Sequence, residues 1–477
     1  PLPAVLAVCC SLLLAGASGA APAKSSAKPA SKPAAKSSAN DKPKAPEPKL
    51  NADVLSGLKF RSIGPALTSG RIVDLAIPSG QPDTWYIAVA SGGVWKTENA
   101  GTTWKPIFDG EGSYSIGCLA VDPRHPLTVW VGTGENNSQR SVGYGDGLYK
   151  SLDGGENWEK MGLGESEHIG EILIDPRNPQ VVYVAAQGPL WKTGGDRGLY
   201  KTTDGGKTWT KSLEIDERTG VSDLPFGPRV PDVIYATAYQ RARRVWTLLD
   251  GGPGSASYKG ADAGASWKKL TNGLPKEEMG RIGIAVSPAD PRIVYAIIEA
   301  ANSAGGIFRS RDGGMNWEKR NDYVSSSPQY YQELVADPQN PDRCYSLDTF
   351  LQVTNDGGKT WSRAGEKNKH VDNHVMWIQP DNTAHMLVGC DGGLYQTWDR
   401  CATWSYFANL PITQFYKLCV DNATPFYNVY GGTQDNNTQG GPSRTRTNHG
   451  IRNADWFITV GGDGCSPPRA PHHTHTA

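Results

Sequence analysis

No charge of either sign prevails in this chain, where 48 Lys and Arg stand against 48 Asp and Glu over 477 residues. Without a basic excess there is no long-range field to draw it to nucleic acid or to an anionic membrane. Long apolar runs are missing as well. The one candidate, Leu2 to Ala15, is too short to span a bilayer as a helix, so no transmembrane span is expected. Cysteine is scarce, and none of the eight stands in a Cys-x-x-Cys pair, which argues against a metal held by thiolates. Cys390 and Cys401 flank one expected hairpin and could pair in an oxidising compartment. No cofactor is expected, and the pattern leaves a metal requirement open.

What is present begins with three terminal signatures. Leu2–Ala15 followed by small residues to Ala20 reads as the apolar and cleavage parts of a secretory signal, residues 1–20, which points to a secreted or periplasmic protein. Residues 21–50 are almost wholly Ala, Lys, Pro and Ser, with seven Lys against Asp41 and Glu47, a composition that cannot bury enough surface to fold. At the other end, residues 465–477 lose all periodicity and read as an aberrant tail.

Between them one short sentence recurs seven times: Ser/Thr-x-Asp-x-Gly-x-x-Trp. Full copies run Ser151 to Trp158, Thr202 to Trp209, Ser310 to Trp317 and Thr354 to Trp361. Degenerate copies end at Trp104 (Asn99 in the Asp place), Trp267 (Gly260 in the Ser place) and Trp404 (Cys401 in the Gly place). The Trp residues follow one another at 43 to 58 residues. A repeat of that length made of short strands is the signature of a propeller blade. The Asp and Ser/Thr side chains satisfy the amides of a tight turn, Gly supplies positive φ, and Trp fills space between sheets. These Asp residues are turn staples and not candidates for chemistry.

Each box follows an apolar run ending in a turn, such as Val73–Ile77, and a Tyr/Trp-rich run such as Trp85–Ala88. Four short strands per unit give an all-β, multi-bladed β-propeller of four-stranded antiparallel blades, seven of them over 51–412. An eighth unit begins at Phe415, so residues 413–464 are expected to form a further partial blade or the start of a second propeller.

Signal, linker and boxes together resemble secreted bacterial proteins of the Asp-box (BNR) propeller superfamily, above all sortilin-type propellers and glycoside hydrolase family 74 xyloglucanases. The resemblance covers residues 58 to 464. For family 74 it implies two propellers facing across a cleft, the second absent from this chain. It also implies inversion at the anomeric centre with one carboxylate from each half, held far enough apart to admit a water. The first-propeller acid follows the first box in a Trp-x-Pro-Leu-x-Asp context, and Trp104-Lys-Pro106-Ile-Phe-Asp109 matches it, making Asp109 the implied base. The expected function is a glycosyl-hydrolase-like action on a β-glucan-type polysaccharide. The sortilin resemblance implies the alternative, a non-catalytic module that binds peptide or protein.

Propeller ligands meet the loops around the central channel. In His370-Val-Asp372-Asn-His374, an extended segment would place all three polar side chains on one face, where they could hold a metal, orient a water or relay a proton. Arg71, Asp74, His168, Glu171, Arg281 and Glu333 occupy similar places in their repeats and are expected to ring the same opening. Gln434 and Asp435, in a loop rich in hydrogen-bonding groups, are candidates for contact with sugar hydroxyls. Tyr239, Trp246, Tyr330 and Tyr331 fall near expected loops and could stack on sugar rings or peptide side chains.

Overall fold

The computed structural model describes residues 52–464 apart from Ala66. The signal, the linker and the aberrant tail expected from sequence lie outside the described residues. The segment before Ser62 carries a four-residue helix, Ala52–Leu55, and the chain from Ser62 onward forms its own compact unit. No helix among the described residues is long and apolar enough to cross a membrane.

Eight antiparallel sheets follow one another among the described residues of that unit, seven of them with four strands side by side in chain order. Their first strands are Ile72–Ala76, Ile116–Val121, Ile169–Ile174, Thr219–Asp223, Met279–Val286, Glu333–Ala336, Asn373–Ile378 and Phe415–Val420. The second strands, such as Trp85–Val89, Val182–Ala186 and Met386–Cys390, are buried at every residue. Neighbouring blades cover both faces of these strands, so their apolar residues run without alternation although the sheets are antiparallel.

The core therefore lies between blades. Ile172, Val184 and Tyr200 of the third pack on Cys118, Trp130 and Leu148 of the second. Leu387 and Leu394 of the seventh blade pack on Ile72, Trp85 and Ile87 of the first, with Leu410 and Ile412 between them. That contact closes a ring of seven. Asn409 fastens the seam, its Nδ2 donating to the Gly101 carbonyl at 2.9 Å while Trp104 Nε1 donates to its Oδ1 at 3.2 Å. The eighth sheet completes four strands but stands outside this ring, with Leu418, Val420, Ile458 and Val460 exposed.

The boxes are the turns between third and fourth strands. In the second blade Ser151 Oγ accepts from Gly155 N at 2.8 Å, and Asp153 Oδ1 accepts from the amides of Glu156 and Asn157 at 3.0 and 2.9 Å. Gly155 sits at φ +94°, and a Cβ there would run into Ile107 of the first blade. Only glycine meets both conditions without strain. The degenerate copy at Cys401 keeps the same geometry with a left-handed cysteine, φ +71°.

Two features depart from the sequence reading. The fourth blade carries six strands, because Phe226–Gly227 pairs with the start of a fifteen-residue strand, Val230–Arg244, whose far end turns back through Thr247–Asp250 as a hairpin. Cys390 and Cys401 are not paired. Both are free and buried, Cys390 Sγ contacting the Gly393 carbonyl and Cys401 Sγ contacting Met386 Sδ.

Candidate functional site

First strands enter the ring at the end opposite the box turns, and there the loop after Thr133 leaves the second blade and crosses the channel. Four blades hold it. Arg71 of the first pairs with Glu135 at 2.8 Å, and His168 Nδ1 of the third donates to the Glu135 carbonyl at 2.9 Å. Arg241 and Arg243 of the fourth donate to the carbonyls of Asn137 and Ser138 at 2.6 and 2.8 Å. Ser138 N donates to the Gln329 carbonyl, in the loop leading to the sixth blade, at 3.1 Å. Burial, then the Arg241 charge, pushes His168 well below the usual histidine range, so it serves as a neutral donor.

Beneath this cap lies a cavity of about 150 Å³ lined by Asn136, Glu171, Asp223, Arg281, Gln332 and Glu333. Burial raises the carboxyls, Asp223 to about 6, Asp74 to about 7 and Glu333 to about 8. Glu171 is raised well above the usual range, by burial and by its carboxylate neighbours. Arg281, 3.3 Å from Glu333, does not outweigh that burial. Asp74 and Asp223 each also accept an amide of the following blade, Leu119 N at 2.6 Å and Ile284 N at 3.0 Å.

Above the cap a second pocket, about 270 Å³, is lined by Arg71, Glu135, Tyr330, Tyr416, Asp435 and Asp463, among others. Behind Arg71 and Tyr330 lies the buried Asp391, ion-paired with Arg71 Nε at 3.0 Å and accepting from His374 Nε2 at 2.8 Å and Tyr330 Oη at 3.0 Å. Burial opposes ionisation of Asp391, yet Arg71 and His374 hold it well below the carboxylate range. Asp435, half-buried on the eighth sheet, is pushed up to about 6 by burial and by a hydrogen bond with Asp391. A carboxyl that keeps its proton up to about pH 6 thus sits in an open pocket whose rim offers hydroxyl, amide and carboxylate groups. Asn436 ties the same loop to the ring, its Nδ2 donating to the Asp391 carbonyl at 2.8 Å.

The expected ring of polar residues is split in two by the cap. Arg71, Gln434 and Asp435 line the upper pocket, with His374 behind them on Asp391, whereas Glu171, Arg281 and Glu333 line the channel cavity below, with Asp74 as an electrostatic neighbour of Glu171, and His168 holds the cap itself. The segment 370–374 is not extended, because Asp372 takes φ +65° ahead of a bulge at Asn373. The alternation breaks there. His370 turns to the Val371 carbonyl, Asp372 bonds Tyr331, and only His374 reaches Asp391. Among the described residues no group of three or more His, Cys, Asp and Glu is placed to hold a metal ion. Asp109 occupies an exposed turn after the first blade and lines neither cavity. Tyr239, Tyr330 and Tyr331 are buried, so of the four aromatics expected to stack only Trp246 is free to do so.

Sequence reasoning missed Asp223, Glu135, Asp391 and Asp463. Asp223 stands one blade on from Glu171 in the same channel wall, but Ser222-Asp223-Leu-Pro225 lacks the apolar run that marked the other first strands. Asp391 sits between Cys390 and two glycines in a two-residue turn, where an aspartate reads as a turn former.

The BNR/Asp-box repeat matches residues 352–363. The chain is 24% identical over 336 residues to xyloglucanase Xgh74A of Acetivibrio thermocellus, a match that covers 60% of this chain and 37% of that enzyme. It is 25% identical over 225 residues to the photosystem II assembly protein Ycf48 of Thermosynechococcus vestitus, covering 46% and 55%. A crystal structure of an ancestral GH74 enzyme superposes with TM-score 0.56 at 16% identity, covering 80% of this chain and 54% of that one. The chain thus spans about a third of the length of the xyloglucanases it matches. In repeat and fold the protein is an Asp-box β-propeller, similar to xyloglucanases and to Ycf48.

Proposed function

We propose that the protein is an exported, carbohydrate-directed propeller of glycoside-hydrolase type that takes a β-glucan-type polysaccharide at its capped end. Asp435 is the observation that carries this reading: a half-buried carboxyl, raised to about 6, in an open polar pocket. A proton donor of that strength suits the leaving oxygen of a glycosidic bond near neutral pH. As the C–O bond breaks, Asp435 gives its proton to that oxygen, and a carboxylate takes a proton from the water that adds to the anomeric carbon. Asp109 is the base implied by resemblance, and Asp463, which lines the same pocket as Asp435, is the one the geometry offers. The similarity to xyloglucanases supports the substrate class.

The test is release of reducing ends from a panel of β-glucans and xyloglucan. The wild-type chain should release them, and Asp435→Asn should slow release by about 100-fold or more, the usual worth of a general acid. Asp109→Asn and Asp463→Asn decide between the two bases. Silence of the wild type across the panel ends the hydrolytic reading. The similarity to Ycf48 favours a second reading, stoichiometric capture of a peptide without catalysis, and Asp435→Asn would leave that capture intact.

A further inference from the structure

The hairpin of the fourth blade ends in a two-residue turn, Val245-Trp246, between paired Arg244 and Thr247. Such turns favour Gly, Asn, Asp and Ser, which tolerate left-handed backbone or satisfy the turn's own amides. Here the position carries two large apolar side chains, with Trp246 81% exposed and Val245 78%. Fold stability gains nothing from an indole in that place. The arm that carries it is nevertheless firmly held. Arg241 and Arg243 anchor its base to the cap loop, Tyr239 bonds Asp250 across it, and Arg243 N donates to the Leu190 carbonyl at 2.9 Å. That last bond fixes the neighbouring loop of the third blade, which presents a second indole, Trp191, 43% exposed.

Position selects the ligand. The ring, residues 72–412, exposes five aromatic side chains, and four of them, Tyr114, Tyr144, Trp191 and Trp246, stand on loops at the capped end. The fifth, Trp398, lies in a box turn at the other end. Tyr144 belongs to the cap loop itself, two residues beyond Val142 of the upper pocket. A pyranose ring offers a flat C–H face to an indole and its hydroxyls to flanking polar groups, and polar groups flank these indoles in Arg244, Lys192 and Thr247.

We propose that Trp246 and Trp191 form a stacking platform for hexopyranose units of a glycan chain that extends from the upper pocket across the capped end. The proposal rests on the carbohydrate-directed reading above and adds a second, non-catalytic binding place remote from Asp435. Long chains reach both places, whereas short oligosaccharides fill the pocket alone.

Isothermal titration of the full chain with polymeric xyloglucan and with a short xyloglucan oligosaccharide tests it, alongside reducing-end release. Trp246→Ala and Trp191→Ala change exposed side chains and leave the core untouched, and Trp246→Phe keeps a ring. Each Ala variant should weaken polymer binding by about tenfold, the worth of a stacked ring, and leave the oligosaccharide unaffected, with Phe restoring most of the loss. Unchanged polymer binding in the double Ala variant overturns the platform even where Asp435→Asn abolishes hydrolysis. Polymer binding that depends on Trp246 without any release of ends keeps the platform and removes the hydrolytic reading. Binding of the wild type to phosphatidylglycerol vesicles but to no glycan, lost in Trp246→Ala, overturns the proposal in favour of a lipid surface.

Discussion

Arg71 is the side chain on which the upper pocket depends. It is buried, it bridges Glu135 and Asp391 at 2.8 and 3.0 Å, and its guanidinium lies 5.1 Å over the Tyr330 ring. Removing the cation leaves two buried carboxylates facing each other. Arg71→Met should therefore destabilise the fold by roughly 3–5 kcal/mol, the cost of breaking a buried pair from one side, as read by chemical denaturation. The channel carboxyls act in the opposite sense. Their pKa values in the fold, about 6 for Asp223, 7 for Asp74 and 8 for Glu333, exceed the roughly 3.9 and 4.3 of an unfolded chain. The folded state then binds more protons, so what protonation contributes is fully present below about pH 4 and is lost as pH rises through 6 to 8. The unfolding midpoint should fall between pH 5 and pH 8, with a slope of at most about 1.4 kcal/mol per pH unit for each titrating group. Glu171→Gln, neutral at every pH, should flatten that slope. A midpoint that rises over this range contradicts the assignment.

At the scale of elements, the box turns were legible from sequence because their physics is local: an Oγ, a carboxylate and a left-handed glycine within eight residues. What the box Trp touches is less local. Trp209 Nε1 donates at 2.7 Å to the Met161 carbonyl of the preceding blade and its ring meets Trp130 edge-on, whereas Trp361 Nε1 bonds Gly358 of its own turn. Trp209 is thus a staple between blades. Trp209→Phe should lose the hydrogen bond, about 1 kcal/mol, and Trp209→Ala about 2–3 kcal/mol, less than a fully buried indole because the ring is partly exposed. Equal costs for Phe and Ala would show that the hydrogen bond carries the effect and the ring does not. The fourth-blade hairpin escaped the sequence reading because Val230–Arg244 carries no Gly or Asn to mark where the blade ends and the arm begins. His370, Asp372 and His374 were read as one face, and a single left-handed residue, Asp372, separated them. A one-residue bulge is invisible to a period of two.

Over the whole molecule, the ring of seven was legible from its spacing, and the division of its polar residues was not. The cap loop joins residues some hundred positions apart through backbone carbonyls, such as Arg241 to Asn137, and carbonyls leave no trace in a residue pattern. Asp435 and Asp391 meet in the same way, by docking of the eighth sheet against the ring. The proposed proton donor sits at that junction, and the most direct test of its role is the pH profile of reducing-end release from β-glucan by the wild type and by Asp435→Asn. Release should decline as pH rises above about 6, following loss of the Asp435 proton, and should nearly vanish in the variant. Full activity in Asp435→Asn, or no release from any β-glucan at any pH, would contradict that role.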